Sequence, residues 1–230
     1  MTRKVEEIDG FGSRRSTVYA ERGMVATSQP LAAQAGIEIL RNGGNAFDAA
    51  VATAAVLNVV EPTSTGLGGD VFALYHTADG EVGAMRSCGG AAQAATRERV
   101  REAVAKKEEQ PPTDVQMPML GPHTVTVPGT ARGWEATVEQ LGTKSLAAVL
   151  EPAIHYAIEG YQASPVIADA WSYAEELFET ENAREAYLID GERAPEEGEL
   201  VRLPKLGASM QRIAEAGADA VYKGEIGEAI

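Results

Sequence analysis

Hydrophobic side chains recur at helical spacing over most of this 230-residue chain. In the first such stretch, Leu31, Ala35 and Ile39 follow one another at four-residue intervals, so all three lie on one face of a predicted helix. The same periodicity predicts most of the secondary structure. Helices are expected over 29–41, 46–60, 96–107, 129–140, 146–159, 166–179 and 204–216, with the start of another over 224–230.

The helix predicted over 46–60 is apolar on nearly all of its faces. Alanine and valine fill most of its positions, and because small side chains let neighbours approach closely, we expect this helix to be buried. Asn45 precedes it and Asp48 follows three residues later, which is the spacing of a capping box. The glycines at 43–44 end the preceding helix.

A β-hairpin is predicted where two short apolar runs flank Asp79-Gly80, a dipeptide typical of tight hairpin turns. Its strands are expected over 71–76 and 82–86. Shorter strands are expected over 18–20 and 124–127, and loops over 63–70, 88–95, 108–122 and 181–198. Because so few short strands do not form a stable sheet by themselves, the sheet needs partners that this chain does not contain.

Composition narrows the class of binding partner. Acidic residues outnumber basic ones by 34 to 20, which gives a net charge of −14 and disfavours nucleic acid and anionic membranes as partners. No apolar run reaches the roughly 18 residues that span a bilayer. The first twenty residues lack the apolar segment of a secretory signal. We therefore expect a cytoplasmic protein that binds neither nucleic acid nor membranes.

Metal and disulfide chemistry are disfavoured as well. Cys88 is the single cysteine, so an internal disulfide is impossible. His76, His123 and His155 lie far apart, and none has the spacing of a common zinc motif. No metal site is therefore predicted, and Cys88 is interpreted as a small packing residue.

The glycine-rich loop at 66–71 reads Gly-Leu-Gly-Gly-Asp-Val. It does not match the dinucleotide-binding fingerprint, because Val71 occupies the position of the third glycine. The loop also precedes a predicted strand, whereas the fingerprint opens a helix. Neither a Walker A sequence nor a Gly-x-Ser-x-Gly nucleophile elbow occurs in the chain.

Five sequence blocks resemble the γ-glutamyltransferase family in identity and in order, from about Arg22 to the last residue. Their Gly-Gly-Asp and Gly-Trp variants are similar to the acylase-like branch of that family. The blocks include Gly-Met-Val-Ala-Thr at 23–27 with Leu-Arg-Asn-Gly-Gly-Asn-Ala-Phe-Asp-Ala-Ala-Val-Ala at 40–52, Glu-Pro at 61–62 with Gly-Leu-Gly-Gly-Asp at 66–70, Val-Pro-Gly-Thr at 127–130 with Gly-Trp at 133–134, Glu-Pro-Ala-Ile at 151–154, and Asp-Ala-Val-Tyr-Lys-Gly-Glu-Ile at 219–226.

The resemblance implies an α+β fold. The chain is then expected to form the N-terminal portion of the αββα sandwich of an N-terminal-nucleophile (Ntn) hydrolase. This portion is helix-rich, and its sheet stays incomplete without the C-terminal half. It implies an N-terminal arm over 1–22 and a partial γ-glutamyltransferase-like domain over 23–230.

The resemblance also implies an enzyme that transfers or hydrolyses γ-glutamyl or similar acyl amides, as glutathione hydrolases do. Such a precursor cleaves itself, and the α-amino group of the freed threonine, with a pKa of about 8, activates the hydroxyl beside it. That threonine is expected outside this chain. The obligatory partner is then the missing C-terminal subunit or precursor segment, the isolated chain is inactive, and no cofactor is required.

The resemblance ties Arg86 to substrate, since a family arginine near this hairpin grips the α-carboxylate of the γ-glutamyl group by a bidentate pair. Arg86 matches the family arginine in one alignment. In the acylase-like alignment, Gly90 occupies the position of that arginine, so this chain lacks it. The substrate would then be another amide and not a γ-glutamyl compound. An ordinary solvent-exposed strand-end arginine is the alternative. The residues of a possible site loop are Gly66, Gly68, Gly69, Asp70 and Ser87. For the three glycines, backbone geometry is the favoured interpretation over contact with substrate.

Two other classes of function stay open at this point. A catalytically inactive remnant or small-molecule binding module has the same blocks without the nucleophile, and exposed apolar surface is expected of it. A nucleotide-binding domain rests only on the glycine loop and the alanine-rich helix. Nucleotide-induced thermal stabilisation distinguishes that class from the others.

Overall fold

The computed structural model describes residues 16–230. The arm predicted over 1–22 lies mostly outside this range. The strand predicted over 18–20 is wrong, because residues 16–20 have no regular secondary structure. A strand forms only where another strand pairs with its backbone, and segment 16–28 makes no backbone–backbone hydrogen bond with any part of the described chain.

Helices account for about half of the described residues. The α-helices are α1 (Pro30–Arg41), α2 (Ala46–Val60), α3 (Arg97–Glu108), α4 (Thr130–Leu141), α5 (Leu146–Glu159), α6 (Pro165–Ala174), α7 (Glu181–Tyr187), α8 (Pro204–Ala216), α9 (Asp219–Tyr222) and α10 (Glu225–Ala229). Short 3₁₀ turns occur at Pro122–Thr124 and Glu175–Leu177. The strands form two antiparallel pairs, β1 (Val71–His76) with β2 (Val82–Ser87), and β3 (Tyr161–Gln162) with β4 (Leu200–Val201).

Three sequence predictions about these elements are wrong. The loop expected over 181–198 contains α7, where the Thr180 side chain accepts a hydrogen bond from the Ala183 amide and caps the helix. The strand expected over 124–127 is a 3₁₀ turn followed by irregular chain, since Pro122 starts the turn. The helix expected over 166–179 ends at Ala174, and the β3–β4 pair was not predicted.

The helical layer is centred on α2, as its composition predicts. This helix packs against α1, α4 and α5, and α5 packs in turn against α8. The largest fully buried side chains include Trp134 of α4 and Trp171 of α6. The core is therefore built mainly between helices.

Asp48 connects the start of α2 to the turn between α4 and α5. It closes the predicted capping box, accepting a hydrogen bond from the Asn45 amide at 2.8 Å while the Asn45 side chain accepts from the amides of Phe47 and Asp48. The same carboxylate also accepts bonds from the backbone amides of Thr143 and Lys144 and from the Thr143 hydroxyl. Asp48 is fully buried, so the turn before α2 is fixed to the turn between α4 and α5.

The β1–β2 hairpin lies against the helical layer through one face only. Val71, Ala73 and Tyr75 point inward, and Tyr75 contacts Phe47 of α2 edge to face with ring centroids 5.6 Å apart. The opposite side is what we call the bare face, composed of Phe72, Leu74, His76, Val82, Ala84 and Arg86. Phe72, Leu74 and Val82 are 67%, 87% and 76% exposed, so this face is apolar and uncovered.

The predicted fold class is confirmed: a mixed, helix-rich α+β chain with small, incomplete sheets. Within residues 16–230, no helix combines the length and the apolar character needed to cross a bilayer.

Candidate functional site

The candidate site lies at the open end of the hairpin, where β1 begins and β2 ends. Three segments meet there: the glycine loop at 66–70, the end of β2 at 86–90, and the chain that enters α4 at 126–133. All of the site residues predicted from the sequence lie in the first two segments.

The glycine loop caps α4 through its backbone. The Gly69 carbonyl accepts hydrogen bonds from the Gly129 amide at 2.9 Å and the Thr130 amide at 3.0 Å. The amide of Gly69 donates to the Gly66 carbonyl at 2.9 Å, which closes the turn. Because the first amides of a helix have no partner within it, this loop provides one. The predicted loop residues Gly66 and Gly69 are thus brought together in a structural role. Gly68 is exposed, and a Cβ added to it would have no other atom within 4 Å.

Ser87 fixes the end of β2 to the start of α4. Its hydroxyl donates to the Gly129 carbonyl at 2.7 Å. A Cβ added to Gly129 would clash with the Ser87 carbonyl oxygen, and one added to Gly133 would lie 2.9 Å from the Ser87 Cβ and 3.0 Å from the Val71 Cβ. The hairpin can approach α4 this closely only because both helix positions are glycine. Sequence reasoning did not identify these two glycines as site residues, although the Pro-Gly-Thr and Gly-Trp blocks contain them.

Arg86 and Asp70 lie at the same end of the hairpin and are both exposed. Arg86 stands opposite Phe72 in the strand register, on the bare face and not on the inner face with Ser87. In residues 16–230, Arg86 forms neither an ion pair nor a side-chain hydrogen bond. The Asp70 carboxylate accepts a hydrogen bond from the Thr126 hydroxyl at 3.2 Å. The structure therefore leaves the guanidinium of Arg86 available to a ligand, and its role stays a prediction.

The site offers hydroxyl, thiol and carboxylate groups but no metal-binding cluster. Across the described residues, no three His, Cys, Asp or Glu side chains are grouped so that they could hold a metal ion. The Ser87 hydroxyl donates to a carbonyl, which does not activate it as a nucleophile. Cys88 is a partly exposed free thiol next to it.

The Asn-Gly-Gly-Asn-Ala-Phe-Asp block at 42–48, by contrast, has a structural role away from the open end of the hairpin. Burial of Asp48 alone would raise its pKa, but the hydrogen bonds from Asn45, Thr143 and Lys144 outweigh burial and hold the pKa below its ordinary value. Asp48 therefore carries its charge as a clamp between helices.

Comparison with known proteins gives a consistent result. Residues 32–230 match the family model described as Gamma-glutamyltranspeptidase. The chain is 37% identical over 220 residues to the Glutathione hydrolase-like YwrD proenzyme of Bacillus subtilis. The aligned region covers 93% of this chain and 39% of that protein. It is 31% identical over 229 residues to the Acylase ACY 1 proenzyme of a Pseudomonas species, covering 98% of this chain and 40% of that protein.

A solved structure gives the same result in three dimensions. The cephalosporin acylase from Bacillus halodurans superposes with a TM-score of 0.83 and 39% identity, covering 99% of this chain and 42% of that one. This likeness confirms the fold predicted from the resemblance. The chain spans about 40% of the length of the two curated relatives named above.

Proposed function

Because this chain belongs to the gamma-glutamyltranspeptidase family, we propose that it forms the N-terminal part of an enzyme that hydrolyses or transfers γ-glutamyl or similar acyl amides. The bare face of the hairpin is the observation that carries this proposal, because within residues 16–230 it places an arginine without an ion-pair partner beside an exposed apolar strand face. The names of the relatives, glutathione hydrolase-like and acylase proenzymes, supply the reaction class.

The nucleophile, an N-terminal threonine, lies outside these 230 residues in this proposal. One contact in the site and the length of the relatives support that placement. Ser87 is engaged in holding the hairpin to α4, and the chain covers only about 40% of its proenzyme relatives. The isolated chain is accordingly expected to bind substrate weakly and to turn none over.

The missing portion covers the bare face. The β1 sequence Val-Phe-Ala-Leu-Tyr-His is apolar on both of its sides, a pattern typical of strands that are buried on both faces. Burial of apolar surface contributes roughly 25 cal/mol per Å², so covering Phe72, Leu74 and Val82 strongly favours assembly.

A second surface favours the same partner. A groove of about 650 Å³ separates the chain at 22–27 from α2, and small side chains such as Ala46, Ala50 and Ala54 form its floor. The wall of this groove belongs to segment 16–28, whose backbone has no hydrogen-bond partner in the described chain. A strand of the missing portion, laid on this small-residue floor, would supply those hydrogen bonds.

Arg86 is the carboxylate clamp in the assembled enzyme. Its guanidinium forms a bidentate pair with the α-carboxylate of a γ-glutamyl donor, which orients the amide for attack. In that enzyme, Arg86→Ala raises KM for γ-glutamyl donors much more than for acyl donors that lack the α-carboxylate. Equal effects on both donors would assign Arg86 a merely structural role and favour another amide as substrate.

The experiment that tests the proposed function is co-expression of the chain with the continuation of its reading frame, followed by assay with a γ-glutamyl anilide. The chain alone is expected to give no turnover, and the joined product is expected to process itself at a threonine and release the aniline. Turnover by the 230 residues alone contradicts the placement of the nucleophile. A stop codon with no complementary frame nearby contradicts the assembled enzyme and leaves an inactive remnant.

A further inference from the structure

A second groove lies on the connection between β2 and α4, separate from the bare face. It has a volume of about 400 Å³ and opens between α3 and the chain at 115–123. That volume falls within the usual range for small-molecule sites. Its lining does not include any residue of the hairpin strands or the glycine loop.

The floor of this groove is apolar. Val100 and Val104 of α3 face Val115 and Met117 across it. Val104 is 5% exposed and packs as a core residue, whereas Val100 and Val115 are half-buried. Val104 is therefore the buried residue of the floor, while Met117, at 56% exposed, leaves the groove open to a ligand.

The rim of the groove is basic, in a chain whose net charge is −14. Arg97 and Arg101 line it from successive turns of α3, and His123 lines it as well. Helix α3 carries five basic residues against three acidic ones. Neither rim arginine pairs with a carboxylate in residues 16–230. By contrast Arg99, on the same helix, donates to the Ala94 carbonyl and does not line the groove.

We propose that this groove binds a small amphipathic carboxylate, whose acid group pairs with Arg97 and Arg101 while its alkyl tail lies on Val100 and Val104. Both parts of the ligand follow from the lining: paired guanidinium groups match a carboxylate, and an apolar floor disfavours a fully polar anion such as phosphate. The concave, small volume favours a free fatty acid of medium length over a protein segment. The proposal is independent of the proposed enzyme activity.

The test is calorimetric titration of the 230-residue chain with octanoate, with octanol and acetate as matched ligands. Octanoate is expected to bind at least tenfold more tightly than either, because octanol lacks the charge and acetate lacks the tail. Arg97→Gln and Arg101→Gln should each weaken octanoate binding about tenfold, whereas Arg99→Gln, the control on the same helix, should leave it unchanged. Val100→Asp should abolish binding, and circular dichroism reports whether that variant is folded.

Several results would overturn the site. Equal affinity for octanol and octanoate indicates non-specific apolar adhesion. Equal weakening by Arg99→Gln and Arg101→Gln indicates general attraction to a basic helix, and absence of octanoate binding at millimolar concentration removes the site altogether. Binding of an acidic peptide in place of octanoate replaces the proposal with a protein interface.

Discussion

The helical layer and the β1–β2 hairpin differ in how fully residues 16–230 bury them. In the helical layer the rings of Trp134 and Trp171 are buried, and the α2 cap and the Asp48 clamp find their hydrogen-bond partners within the chain. The hairpin finds partners for one face only, and its Phe72 and Leu74 side chains remain in solvent. Within residues 16–230, the first region is therefore mostly buried apart from the groove beside α2, whereas the second exposes one whole face.

This difference separates the two kinds of family block in the sequence. The Asn-Gly-Gly-Asn-Ala-Phe-Asp block stabilises the helical layer through Asn45 and Asp48. The Gly-Leu-Gly-Gly-Asp and Pro-Gly-Thr blocks hold the open end of the hairpin against α4 through Gly69 and Gly129. The second set lies at the end of the hairpin that carries Arg86. Substitutions there therefore test the proposed activity, whereas substitutions in the first set test stability.

Asp48→Ala is expected to produce the largest loss of stability. It leaves the amides of Asn45, Thr143 and Lys144 without an acceptor, and each buried donor left unpaired costs about 1–3 kcal/mol. The free energy of unfolding from urea titration should fall by about 3 kcal/mol or more. A loss below about 1 kcal/mol would show that water replaces the clamp and that the helical layer is looser than its contacts imply.

Gly133→Ala tests how tightly the hairpin is held to that layer. The added methyl group meets the Cβ atoms of Ser87 and Val71 at 2.9 and 3.0 Å, and overpacking of this kind costs about 1–3 kcal/mol. Gly68→Ala, at an exposed loop position with no atom near its Cβ, is the matched control and should cost less. Equal losses in the two variants would indicate that the hairpin moves away from α4 without resistance.

The same clamp makes the helical layer sensitive to acid. The pKa of Asp48 is lowered in the folded chain, so its stabilising contribution is complete above its unfolded pKa of about 4 and is lost as the pH falls through the lower folded value. The stability of the native chain should therefore decline more steeply below pH 4 than that of Asp48→Asn, whose side chain does not titrate. Parallel curves for the two proteins, measured by urea titration at each pH, would assign the acid sensitivity to other carboxylates.

The same contrast explains which features the sequence predicts. The Asn45–Asp48 cap and the Asp79-Gly80 turn were predicted because each signal and its effect lie within a few residues. Helix α7 was missed since Glu181–Tyr187 has too few apolar residues for a periodic signal, although Thr180 caps it. The β3–β4 pair joins residues some forty positions apart, and two-residue strands have no pattern of their own.

The candidate site shows the same limit. Arg86 and the glycine loop were selected through local sequence blocks, but their positions relative to α4 depend on contacts between residues 87 and 129 and between 69 and 130. No pattern along the chain encodes such distant pairs. Ser87 was predicted as a residue of a possible site loop, and the contact of its hydroxyl with α4, which joins β2 to that helix, was not predicted.

Leu74→Glu should have the smallest effect on the isolated chain and is the sharpest test of the contrast. Leu74 is 87% exposed on the bare face, and exposed substitutions of this kind change the free energy of unfolding by about 0.5 kcal/mol or less. In the joined protein the same carboxylate would be buried without a partner, so assembly and γ-glutamyl anilide turnover should both be lost. Tyr173→Glu, at a 79% exposed position of α6 away from the hairpin, is the control and should leave both intact.

If Leu74→Glu assembles and turns over substrate normally, the bare face stays in solvent in the whole protein. The partner would then have to dock through the groove beside α2 and not through the hairpin.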